Sequence, residues 1–219
     1  MSNISASMVF ELRKATGAGI MDCKKALAEN DANFEKAVEF LMVKKKASAA
    51  KKQTRIAAEG TVSSYVHMGG KIGVLCEINC ETDFVAKTPQ FQDFVKDVCM
   101  HIAAAAPTVV RREDIDADVS NTQKDLFTAQ VIEEGKPEHI ADRIVTGKMD
   151  KWYKEASLLE QVFVKDEAGK LTVGQYLENV TGDLGEKISI RRFMRFELGE
   201  GLEKREENFA DEVAAQMGN

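Results

Sequence analysis

The feature that most constrains the fold is a pair of strand-like runs within a chain whose other segments mostly follow helical spacing. The segment GTVSSYVHMGGKIGVLCEIN (60–79) contains two runs rich in strand-forming residues, separated by Met68, Gly69 and Gly70. Glycines at such a point favour a tight turn, so the segment predicts an antiparallel hairpin. A hairpin flanked by amphipathic helices buries its apolar face under those helices, which makes the predicted fold class α+β.

Three short helices are predicted before the hairpin. Ser5 and Asn33 can cap the first and the third, and the second is predicted from Ile20 to Asn30. The apolar positions at helical spacing are Met8, Val9, Leu12, Ile20, Cys23, Leu27, Phe34, Ala37, Val38 and Leu41. The three helices are therefore expected to form a small bundle.

The segment KKKASAAKKQTRIAA (44–58) follows the bundle and carries cations and alanines with no acidic residue. This composition predicts a solvated helical connector. The alternative is an electrostatic contact with RNA or with an acidic partner. No aromatic residue is interleaved in the segment, and the connector interpretation is favoured.

After the hairpin, Thr88 can cap a helix that has Pro89 at its first position and stops before Pro107. Helical periodicity from Asn121 to Glu134 and from Pro137 to Thr146 predicts a projecting helical hairpin.

Four further elements are predicted towards the C-terminus. They are an extended piece over EASLLEQVFV (155–164), a short helix capped by Thr172, a strand over 187–198 and a weak amphipathic helix over 205–217. In the strand, alternation predicts one shared face for Ile188, Ile190, Met194, Phe196 and Leu198, with Arg192 as the exception.

Composition and charge exclude several classes of protein. No apolar run approaches the ~20 residues of a membrane helix, and the N-terminus lacks a signal-peptide pattern. The net charge is −6, and the eleven Lys and Arg against six Asp and Glu in residues 1–56 are a local excess. Four scattered cysteines suit a reducing compartment. We therefore expect a soluble cytoplasmic protein with no membrane association and no direct nucleic-acid partner.

Enzyme chemistry finds little support in the sequence. The three histidines, His67, His101 and His139, lie in different predicted elements, and His101 is expected to be packed or hydrogen-bonded. Cys76 and Cys80 share a strand face, but their spacing lacks the turn geometry of a CxxC pair. Phosphate-binding glycine motifs are absent, so no catalytic residue, metal or cofactor is predicted.

The stretch ETDFV (81–85) follows the second predicted strand and allows two interpretations. Phe84 can fold back into the core, with Asp83 capping the turn. Alternatively, the loop projects and Phe84 inserts into an apolar slot of a partner protein, where burial would contribute up to ~1.5–3 kcal/mol.

Several motifs together resemble one known family. The segments ELRKATGAGIMDCKKAL (11–27), NCETDFVAKTPQF (79–91), MHIAAAAP (100–107) and RFELGEGLEK (195–204) are similar, in this order, to elongation factor Ts, and the resemblance runs almost end to end. It implies a ubiquitin-associated-like helical module with its linker (1–55), an α+β core and dimerisation domain (56–199) that includes a helical hairpin at about 120–147, and a C-terminal helical module (200–219). A single core module resembles the short, homodimeric members of the family.

The resemblance also implies a function. A member of this family is a guanine nucleotide exchange factor that binds GDP-bound elongation factor Tu, promotes release of GDP and Mg²⁺ without covalent chemistry, and lets GTP enter. The matching segment for Mg²⁺ displacement is Thr82, Asp83, Phe84 and Val85, and further partner contacts are expected from Arg13, Met21 and Asp22. The rival interpretations are an RNA-binding or ubiquitin-fold adaptor and a cysteine or metal enzyme.

Overall fold

A bundle of three helices begins the chain in the computed structural model, which describes residues 4–67 and 69–202. The helices are α1 (Ala6–Thr16), α2 (Ile20–Glu29) and α3 (Phe34–Lys52). Ser5 and Asn33 cap α1 and α3 through their side chains, as predicted. Their shared buried cluster consists of Leu12, Cys23, Ala26, Leu27, Ala37 and Leu41.

The core combines an antiparallel sheet with helices on one of its faces, which confirms the α+β prediction. The remaining strands and α-helices of the described residues are β1 (Glu59–Val66), β2 (Ile72–Cys80), α4 (Asp83–Ala86), α5 (Pro89–Ala105), α6 (Ala117–Glu133), α7 (Glu138–Ala156), α8 (Val173–Leu184) and β3 (Ser189–Glu197). The described strands have the order β1-β2-β3. Residues of β2, β3, α5 and α8 form the largest buried cluster, so these helices cover one face of the sheet.

A β-bulge in β3 makes the predicted single face of this strand wrong. Ile78 of β2 pairs with Ile190, whereas the preceding Glu77 pairs with Arg192, so Arg191 is an extra residue. One extra residue reverses which side chains face the core. Ile188 and Ile190 are buried before the bulge, and after it Phe193 packs on the core. The side chains of Met194, Phe196 and Leu198 are exposed instead.

The Lys- and Ala-rich connector is helical, but one of its faces is packed and not solvated as predicted. It continues α3 to Lys52, and Ala49 and Lys52 are both buried. The Lys45 Nζ atom lies 2.6 Å from Asp183 Oδ1, and a Cβ atom at Gly182 would lie 2.4 Å from Lys45 Cγ. Gly182 therefore leaves room for the Lys45 side chain where α3 packs on α8 and joins the bundle to the core.

Helices α6 and α7 form a helical hairpin around Val131, Val145 and Met149. Both are longer than predicted, because α6 begins at Ala117 and α7 continues to Ala156.

The prediction of an extended segment over 155–164 is wrong. A 3₁₀ turn (Leu158–Glu160) follows α7, with single β-bridges at Ser157 and Val162. Arg112 holds this region by donating to Glu160 and to Asp150. The amphipathic helix predicted over 205–217 lies outside the described residues.

Candidate partner-binding turn

The motif residues 82–85 lie on a short turn of helix between β2 and α5. Thr82 is the N-cap of α4, and its Oγ1 accepts a hydrogen bond from the Val85 N–H at 3.4 Å. The Asp83 side chain instead pairs with Lys87 Nζ at 2.7 Å. The interpretation in which Asp83 caps the turn and Phe84 folds into the core is therefore wrong. Phe84 is 79% exposed.

The side chains next to Phe84 anchor the turn. Ala86 is buried, and Val85 is partly buried against the main core cluster. On a short helical turn these residues point inward while Phe84 points away from the core. The exposed ring is thus carried by a segment whose other apolar side chains are packed.

The N-terminal side of the turn, residues 81–82, is held by the turn of residues 185–187 that connects α8 to β3. One carboxylate oxygen of Glu186 accepts the backbone N–H groups of Glu81 and Thr82 at 3.1 and 3.0 Å. The other accepts the Thr82 hydroxyl at 2.7 Å. In the opposite direction, Glu81 Oε1 accepts the Lys187 N–H at 2.6 Å. The two turns therefore hold each other through reciprocal bonds.

The C-terminal side of the turn is held by the start of α5. The Thr88 hydroxyl donates to the Val85 carbonyl at 2.8 Å, and the Gln92 amide donates to the Ala86 carbonyl at 2.6 Å. The Cys80 thiol donates to the Thr82 carbonyl at 3.0 Å. Most polar groups of the 81–86 backbone that face the protein thus have partners.

Charge at the turn is locally balanced. A hydrogen bond from Lys87 lowers the pKa of the Asp83 carboxyl, and the same pair raises the pKa of the Lys87 ammonium. The Lys187 backbone N–H, assisted by Arg55, lowers the pKa of the Glu81 carboxyl. Asp83 and Glu81 are consequently ionised at neutral pH, and each has a cation beside it.

The other expected contact residues lie on the helical bundle. Met21 is 75% exposed, Arg13 is exposed, and Asp22 pairs with Lys44 Nζ at 2.6 Å. The loop between α1 and α2 lines a cleft of about 940 Å³, together with residues of α3, α5 and α8. The predicted site residues therefore form two groups, Thr82–Val85 on the core and Arg13, Met21 and Asp22 on the bundle.

Three of the remaining candidates for chemistry, His101, Cys76 and Cys80, are packed inside the protein. His101 is buried, its Nε2 donates to Gln161, and its Nδ1 accepts the Val164 N–H at 3.2 Å. Burial lowers the pKa of His101, which is therefore a neutral, packed histidine as predicted. Cys76 and Cys80 are buried free thiols.

Residues 4–67 and 69–202 contain neither a metal-binding cluster nor a membrane-spanning helix. No group of three or more His, Cys, Asp or Glu side chains could hold a metal ion. No helix combines the length and apolar character needed to cross a membrane.

Sequence reasoning missed Glu186 and Gln92, which hold the 81–86 turn from outside the motif. Glu186 follows Gly185, a left-handed residue that ends α8. Its separation from Thr82 in sequence, and the absence of any pattern around it, give no signal of the contact before the fold is known.

The chain is similar to known proteins over nearly its whole length. The family model described as elongation factor TS matches residues 12–200. Over about 99% of both chains, the protein is 57% identical to elongation factor Ts of Desulforamulus reducens and 56% identical to that of Geobacter metallireducens. It is 58% identical to elongation factor Ts of Alkaliphilus oremlandii over 98% of both chains. With the 82–85 turn exposed on an α+β core and the match extending over nearly its whole length, this chain belongs to the elongation factor Ts family.

Proposed function

We propose that this chain binds GDP-bound elongation factor Tu through two surfaces and uses the 81–86 turn to expel GDP and Mg²⁺. Its family membership makes it a guanine nucleotide exchange factor for elongation factor Tu in translation elongation. We place its action in the cytoplasm and assign it no covalent chemistry. GTP then enters the emptied site.

The observation that carries the proposal is the exposure of Phe84 on an anchored turn. In the isolated protein a ring that is 79% exposed lacks the favourable free energy of burial, and it gains that free energy when a partner buries it. Because the turn is hydrogen-bonded at both ends, the ring is presented with little ordering cost on binding. Phe84 is proposed to wedge between helices of the nucleotide-binding domain, with Asp83 displacing the elements that hold the metal and the phosphates.

Exchange follows from thermodynamic reciprocity. If the factor binds empty elongation factor Tu more tightly than the GDP-bound form, it must lower the affinity of elongation factor Tu for GDP by the same ratio. A coupling free energy of about 3 kcal/mol would weaken GDP binding about 150-fold. A wedge supplies this coupling only when its contact forms in the distorted partner and not in the undistorted one.

The bundle is proposed to supply the second contact surface for elongation factor Tu. Arg13, Met21 and Asp22 present an exposed surface that does not depend on the 81–86 turn. We propose that the bundle is the ubiquitin-associated-like module of the family, that residues 1–55 and 56–199 are separate domains, and that 200–219 is a third. Separate buried clusters in the bundle and in the core support the division between the first two domains.

The direct test is release of fluorescent GDP from purified elongation factor Tu in the presence of excess unlabelled nucleotide. Adding this chain is expected to accelerate release up to a plateau at saturating concentration. An unchanged release rate would contradict the proposal. Salt-sensitive RNA binding without any effect on release would favour the RNA-binding adaptor instead.

We also propose that the chain forms a homodimer through the outer face of its sheet. Val62, Val66, Leu75, Met194 and Phe196 lie on this face, and each is about half exposed or more. The pairing register sets Ser64, Leu75 and Met194 in one cross-strand row and Val66, Gly73 and Phe196 in the next. An open apolar sheet face of this kind is typical of a protein–protein interface.

Met194→Glu is expected to convert the dimer to a monomer, because it places a charge within the apolar sheet face, next to Leu75 of the central strand. Sedimentation at micromolar concentration should give about twice the chain mass of 24.2 kDa for the unmodified protein and the chain mass for the variant. Leu126→Glu is the matched control, since Leu126 is 52% exposed on α6 and should leave the dimer intact. A monomeric unmodified protein would contradict the proposal.

A further inference from the structure

Glu186 is the residue outside the motif with the most bonds to the 81–86 turn. Its carboxylate accepts three hydrogen bonds there, from two backbone N–H groups and one hydroxyl, at 2.7–3.1 Å. Bonds to an ionised acceptor are stronger than bonds between neutral groups. The exchange mechanism described above does not use Glu186.

The bonds from Glu186 converge on the residue that starts α4. Thr82 Oγ1 donates to Glu186 and also accepts the Val85 N–H, so the orientation of the hydroxyl is fixed from both sides. Rotation of Thr82 would lose the cap, and α4 is a single turn that spans Asp83–Ala86. The direction in which Phe84 points therefore depends on Thr82, and Thr82 depends on Glu186.

Glu186 itself is held by its position in the fold. It lies between Gly185, which ends α8 with φ 75°, and Lys187, whose N–H donates to Glu81. The Lys187 side chain also donates to the Arg55 carbonyl at 2.9 Å, which ties the 185–187 turn to the segment before β1. The carboxylate thus reaches the 81–86 turn from a backbone with independent anchors.

We infer that Glu186 is a positioning residue that fixes the 81–86 turn in the conformation that presents Phe84 to the partner. This inference rests on the proposed function of the turn. It adds Glu186, which lies in the connection between α8 and β3, to the residues on which that function depends. Glu186 does not touch the partner. It acts by keeping the turn in one conformation, which raises the fraction of molecules competent for insertion.

The conservative substitution is Glu186→Gln. An amide of the same shape carries no charge and has one acceptor oxygen, so it can accept the two backbone N–H groups only as a neutral acceptor while its NH₂ replaces the oxygen that accepts the Thr82 hydroxyl. The Val85 and Ala86 bonds to α5 remain, so the variant is expected to fold. Amide hydrogen exchange at Glu81 and Thr82 is expected to accelerate about tenfold in the free variant, since their charged acceptor is lost. Unchanged exchange at both amides would overturn the inference.

The functional test is a double-mutant cycle with Phe84→Ala, read as the maximal rate of GDP release and the half-saturating concentration. Glu186→Gln is expected to lower the maximal rate about tenfold in the unmodified background and less than about twofold in the Phe84→Ala background. The half-saturating concentration should stay nearly constant, because the bundle surface is intact. Equal slowing in both backgrounds would overturn the inference, since Glu186 would then not act through Phe84.

Two controls separate the possible failures. Glu178→Gln removes a carboxylate from the exposed face of α8 and should change neither the amide hydrogen exchange of the turn nor the rate of GDP release. If Phe84→Ala alone has no effect on release, the wedge proposal fails, while amide exchange still decides whether Glu186 orders the turn. If Glu186→Gln does not fold, Thr82→Val removes the hydroxyl partner at similar shape, and accelerated exchange at Glu81 is again the expected result.

Discussion

Phe84→Ala is expected to lower the maximal rate of GDP release from elongation factor Tu about 10- to 100-fold. Burying a phenylalanine side chain contributes about 1.5–3 kcal/mol, and each 1.36 kcal/mol corresponds to a factor of ten in rate. The effect belongs mainly to the maximal rate, because the ring is proposed to find its slot only as the nucleotide site distorts. Stopped-flow release of fluorescent GDP over a range of factor concentrations separates this rate from the half-saturating concentration.

The variant should fold normally, since the ring is 79% exposed and contributes little to the core. Phe84→Leu retains apolar bulk and is expected to recover part of the rate. Ile56→Ala is the matched control, because it removes an apolar side chain that is 87% exposed in the connector. Folded Phe84→Ala protein with an unchanged maximal rate would remove the wedge role from Phe84.

The local patterns predicted the elements that depend on nearby residues. Ser5, Asn33, Thr82, Thr88 and Thr172 all act as N-caps, and each of these caps except Thr82 is predicted from the sequence. Capping depends on residues within three positions, so it is readable from sequence. The exposed position of Phe84 remained one of two alternatives, because it depends on what Val85 and Ala86 pack against.

The missed features depend on contacts distant in sequence. The bulge at Arg191 reflects how β3 pairs with β2, and an alternating strand with one extra residue looks regular in sequence. The packed face of the α3 connector depends on α8, where Gly182 permits close approach to Lys45. Glu186 likewise reaches Thr82 across 104 residues. Composition alone predicts solvation for such charged residues and does not show their partners.

Gly60→Ala is expected to destabilise the fold by more than about 3 kcal/mol, which lowers the thermal midpoint by roughly 6–12 °C in a chain of this size. Gly60 has φ 132°, a conformation that side chains rarely adopt. A Cβ atom there would lie 2.2 Å from the Ile78 carbonyl oxygen and 2.6 Å from Asn79 Cα. Both are backbone atoms of β2, so no side-chain rotation relieves the overlap, and β1 must move away from β2.

The same displacement should reach the partner-binding turn, because Gly60 pairs with Asn79, two residues before Glu81. Gly147→Ala is the matched control: Gly147 lies in α7 with open space around its Cβ position, and alanine there should stabilise the helix by up to about 1 kcal/mol. Thermal unfolding followed by circular dichroism measures both variants. A Gly60→Ala midpoint equal to that of the unmodified protein would contradict the prediction, because it would mean that β1 can shift away from β2 without cost.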